Sequence, residues 1–120
     1  MRIRATCLGL ASSLLATSAF AACEMPSLVA SIPDGATATE EQLLAVQAEI
    51  KAYIEAMDAY IACQNEEMTA NGDGATADYL FQMSTRIEAA RNEVDAVATR
   101  FNDEVTAFRA ARQASATPFR

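Results

Sequence analysis

Apolar side chains recur along this chain at helical intervals. Leu43, Val46, Ile50, Ile54, Met57, Ile61, Gln64 and Met68 are spaced 3, 4, 4, 3, 4, 3 and 4 apart, with Gln64 standing in an apolar slot. Such a stripe predicts one helix over 39–70. Thr39 followed three residues later by Gln42 fits a capping box, and Glu40 and Glu41 suit the positive end of the helix dipole. A second stripe runs Leu80, Met83, Ile87, Ala90, Val94, Val97, Phe101, Val105 and Phe108, and predicts a longer helix over 75–116, with Asp73 or Thr76 as its N-cap. Pro118 ends it and leaves 117–120 as a tail. Asn71-Gly72-Asp73-Gly74 is a turn sequence. Two stripes joined by a short turn at 71–74 make an all-α fold, a long antiparallel two-helix hairpin of coiled-coil type. Pairing taken as symmetric about residue 72 sets Met57 near Ile87 and Leu43 near Phe101.

The segment 22–38 has a different texture. Pro26 and Pro33 disfavour helix, and Pro33-Asp34-Gly35 signals a turn. It reads as an extended arm whose Met25, Leu28, Val29 and Ile32 are available for burial. On the first helix Ala45, Ala52, Ala56, Ala59 and Cys63 share one side, a lane of small residues beyond Tyr53 and Tyr60 on which the arm is expected to lie. From Thr39 to Cys63 is roughly 36 Å of helix, and an arm starting at Cys23 reaches up to roughly 55 Å. A Cys23–Cys63 disulfide is therefore within reach, and would staple the arm back onto the hairpin. Ile54, Met57 and Ile61 are expected to meet the second helix.

The first residues alter the reading of charge and compartment. Arg2 and Arg4 precede an uncharged run from Cys7 to Ala22 containing Ala19-Phe20-Ala21. That is the pattern of a secretory signal peptide over 1–21, cleaved after Ala21 or Ala22, leaving no membrane span in the exported chain. Cys7 leaves with it, and Cys23 and Cys63 remain as an even pair in an oxidising compartment, where one disulfide is the default. Loss of Arg2 and Arg4 from 9 basic residues leaves 7 against 16 acidic ones, a side-chain balance of −9. So acidic a chain is a poor fit to nucleic acid or anionic lipid, both of which need Lys and Arg to neutralise phosphate.

Candidate chemistry is sparse. The chain has no His, the commonest general base and metal ligand. The carboxylate pairs Glu40/Glu41, Glu66/Glu67 and Asp103/Glu104 are sequence neighbours, so each pair diverges on a helix and reads as solvated surface rather than a catalytic dyad. The loop 71–78 has a calcium-loop flavour, but with Gly74 at loop position six the twelfth position is Leu80, where a bidentate Glu is required. No nucleotide-binding glycine motif or nucleophile elbow is present. No catalytic residue, metal ligand or cofactor is expected, and the chain reads as a non-enzyme. Phe20-Ala21-Ala22-Cys23 also approaches a lipoprotein box, with Phe20 where Leu is preferred, so an envelope lipoprotein anchored through Cys23 is the alternative.

Cys23 and Pro26 after a signal peptide, then Ile32-Pro-Asp-Gly-Ala36, then Tyr53…Tyr60-Ile-Ala-Cys63 resemble a class of small exported proteobacterial helical proteins of unknown function. The resemblance covers roughly residues 23–65. It implies a periplasmic helical fold and carries over no catalytic residue. The expectation is an exported helical hairpin that works by protein binding or self-assembly, its partner a second copy or an envelope protein.

Overall fold

A computed structural model describes residues 23–28 and 31–117; the expected signal peptide, Val29 and the tail from Pro118 lie outside them. An extended arm leads into helix α1 (Glu40–Asn71), a single 3-10 turn (Gly72–Gly74) and helix α2 (Ala77–Ala116). The two helices pack against each other, and no strand occurs among the described residues. The fold is the disulfide-stapled antiparallel hairpin.

Local chemistry sets both helix starts. Thr39 Oγ1 accepts from the Gln42 amide at 3.2 Å while Gln42 Oε1 accepts from the Thr39 amide at 2.9 Å, a complete capping box. Thr76, rather than Asp73, caps α2 by accepting from the Tyr79 amide at 3.2 Å. Gly72 stops α1 with φ +48°, a backbone state in which a side chain is strained.

The core is a single seam. Leu43, Ile50, Tyr53, Met57, Tyr60 and Gln64 from α1 face Met83, Ile87, Ala90 and Val97 from α2. Met57 and Ala90 are both fully inaccessible and belong to one cluster, a large side chain against a small one, which lets the helices approach. Each buried Ile, Met or Val contributes on the order of 2 kcal/mol, so a one-sided seam gives a thin core that needs further cover.

Two expectations of register and placement are corrected. Asn71 donates to the Tyr79 hydroxyl at 2.8 Å at the turn, and Glu40 pairs with Arg112 at 3.6 Å at the far end. Both contacts set the hairpin about two helical turns further along α2 than symmetry about residue 72 implies. The connection is longer than 71–74, because α2 does not begin until Ala77. Met57 thus clusters with Ala90 and Val97 rather than with Ile87.

The arm, too, lies elsewhere. Ala45, Ala52, Ala56 and Ala59 are all exposed. Cys23, Leu28 and Ile32 instead pack on the cluster containing Tyr53, Tyr60 and Val97, in the trough between the helices. A trough walled by two aromatic rings offers more apolar surface than a row of methyl groups.

Candidate interaction surface

The disulfide anchors one end of the arm. Cys23 and Cys63 are bonded with their Cα atoms 5.8 Å apart, closing a separation of 40 residues. From there Leu28, Ser31 and Ile32 run beside Glu93, Ala96, Val97 and Arg100 of α2. Tyr53 is sealed beneath this side, and burial, followed by the nearby charge of Glu93, raises its phenol above the usual 10.0.

The other end of the arm is locked by a contact that sequence reasoning missed. Asp34 Oδ1 accepts from the Ala36 amide at 2.8 Å, and its carbonyl accepts from the amides of Thr37 and Ala38. This turn presents the Gly35 amide to Glu104 Oε2 at 2.7 Å, across 69 residues of chain. Gly35 is buried so tightly that an added Cβ would overlap the Glu104 carbonyl oxygen. Glu104 is therefore half-buried and engaged, not the solvated surface group expected of it. The Pro-Asp-Gly turn was visible in the sequence; its partner was not, since no local pattern marks one surface Glu among several. Beyond the turn, Arg112 lies over the Phe108 ring at 4.7 Å while bridging to Glu40, which covers the protruding end of α2.

Between these two anchors the arm closes one side of the helix pair. The opposite side has no such cover. There Leu44, Ile54, Ala98 and Phe101 line a groove of about 710 Å³, with Leu44 58% exposed. Phe81, 73% exposed, projects from α2 near the turn, and nothing in the structure explains it.

Among the described residues one group of metal-ligand types gathers, Cys23, Cys63 and Glu67, with ligand atoms within 4.8 Å of one another. Both sulfurs are committed to the disulfide, whereas metal ligation requires thiolates. Among the described residues, no helix is long and apolar enough to cross a membrane. Compared with protein-family models, curated proteins and solved structures, the chain has no match.

Proposed function

We propose that this protein is exported to the periplasm and acts there without catalysis, by binding protein through the open side of its hairpin. The observation that carries the reading is the asymmetry of cover. The arm fills the trough over Tyr53 and Tyr60, whereas the groove lined by Leu44, Ile54, Ala98 and Phe101 stays open. The groove has an apolar floor rimmed by Gln47, Lys51, Glu55 and Asn102, and an exposed apolar surface with a polar rim on a small helical protein marks an interaction site. Export supports the same picture, since a Cys23–Cys63 bond persists in an oxidising compartment and is rare in a reducing one. The bond also weighs against anchoring through Cys23, because a sulfur shared with Cys63 has no valence left for a lipid thioether.

Two measurements test this. Intact mass of the exported chain distinguishes a chain two hydrogens below its reduced form from one carrying acyl groups at Cys23; the acylated result sinks the periplasmic reading. A photo-reactive residue placed at Leu44 in cells expressing the full chain should cross-link to protein, while the same probe at Ala52, on the exposed alanine lane, should not. Equal silence at both positions would remove the binding role.

A further inference from the structure

We infer that the staple of this protein is also a redox-gated zinc site, in which Cys23, Cys63 and Glu67 hold one Zn²⁺ once the disulfide is reduced. The inference goes beyond the groove and does not depend on what occupies it. Cys63 and Glu67 are four apart on α1, so their side chains leave one face a turn apart, the spacing with which a helix chelates a metal. The arm brings Cys23 to that face from outside the helix. The ligand atoms of the three lie within 4.8 Å of one another, and all three residues are half-buried. The Glu67 carboxylate is otherwise uncommitted. Only the Glu67 backbone carbonyl is engaged, by Asn71 at 2.9 Å, and the sole ion pair among the described residues is Glu40–Arg112.

The distances suit the metal. Zn–S bonds of about 2.3 Å at a tetrahedral angle set two thiolates about 3.8 Å apart, and a Zn–O bond of about 2.1 Å sets a carboxylate oxygen about 3.6 Å from each. With the Cα atoms 5.8 Å apart, side-chain rotation alone opens the two sulfurs to that separation. Two thiolates beside a carboxylate favour zinc over magnesium and calcium, which take oxygen ligands. Solvent fills the fourth position. The site outlasts the S–S bond because the arm has other anchors. Leu28 and Ile32 pack on the core cluster, and the Gly35 amide donates to Glu104 at 2.7 Å. Cys23 is five residues from Leu28, so its thiol stays tethered beside Cys63 at high effective concentration.

A dithiol reductant opens the site. Its two S–H bonds break and one S–S bond forms in it, while the Cys23–Cys63 bond breaks and each sulfur gains one S–H. Two electrons and two protons pass to the protein. Zn²⁺ then displaces both protons to solvent, and the two thiolates and the Glu67 carboxylate become its ligands. In the oxidised chain neither sulfur is a thiolate, and Glu67 alone is too weak a site. The arm is thus held at the same point of α1 in both states, by a covalent bond in one and by the metal in the other.

The full chain, reduced with a dithiol that is then removed under argon, tests the site. Co²⁺, a spectroscopic stand-in for zinc, should bind one to one with a thiolate-to-metal charge-transfer band, and Zn²⁺ should displace it. The oxidised chain should give no band. Glu67→Gln should weaken zinc binding at least about tenfold, whereas Glu66→Gln, at the exposed neighbour, should leave it within about twofold. Zinc should also return hydrogen exchange around Tyr53 and Tyr60 in the reduced chain toward its disulfide-bonded rate, which a stray thiolate–metal contact does not do. Absence of the band, equal affinity in the wild type and Glu67→Gln, or two chains per metal overturns the inference. So does a reduced chain that loses its helical circular dichroism and does not regain it with one equivalent of zinc. None of these results bears on cross-linking from Leu44, so the groove and the metal site stand or fall separately.

Discussion

Gln64 is the residue least at ease in this fold. It stands in an apolar slot of the α1 stripe, is 2% exposed, and its Oε1 has no hydrogen-bond partner. A buried, unsatisfied carbonyl costs about 1–3 kcal/mol, while an apolar residue of similar length fits the seam. Gln64→Met should stabilise the protein by about 1–2 kcal/mol, read as a raised urea midpoint with unchanged slope. Tyr53 makes a pH prediction. Its phenol is raised by burial and by Glu93, so the folded chain holds that proton to higher pH than the unfolded chain does. Its stabilising effect is complete below the unfolded value of 10.0 and falls away as pH rises through the higher folded value. Urea midpoints should drop on going from about pH 9 to about pH 11, and Tyr53→Phe should flatten that drop. At this scale the sequence was readable wherever partners are local. Thr39 and Gln42 reveal each other by spacing, whereas Gly35 and Glu104 are 69 residues apart and reveal nothing. Gly35→Ala should therefore loosen the arm turn, since its Cβ has no room against the Glu104 backbone; faster hydrogen exchange at the Ala36–Ala38 amides would show it.

At the scale of elements, both helices were legible because a 3–4 stripe bounded by a cap and a glycine turn is a local signal. The arm's course was not. Its reach and the two cysteines are compatible with either the alanine lane or the trough, and the choice depends on the tertiary surface that the paired helices create. The staple matters because the seam is thin. Opening the loop of 40 residues by Cys63→Ser should cost about 3–4 kcal/mol in the chain-entropy model. The loss should appear first as exchange in the arm and around Tyr53 and Tyr60, ahead of Met83 and Ile87 near the turn. Equal loosening everywhere would mean that the arm and hairpin unfold as one unit.

For the molecule as a whole, the hairpin is a two-sided object with one side closed by its own chain. The register shift of about two turns goes with a connection that runs to Ala77, a boundary that turn chemistry alone does not place. The open side was anticipated only as an excess of apolar stripe; which residues line it depends on where the arm went. Met25, 46% exposed on the arm, and Leu44, 58% exposed at the groove, are convenient reporters of the two sides. The most direct test is hydroxyl-radical footprinting of the full chain in the cells that make it, compared with the same protein purified and dilute. Leu44 and Phe101 should be less reactive in the cells than in the dilute sample, while Met25 keeps its own reactivity. Protection of Met25 instead, or unchanged reactivity at Leu44 and Phe101 throughout, would contradict the assignment of the open groove as the binding face.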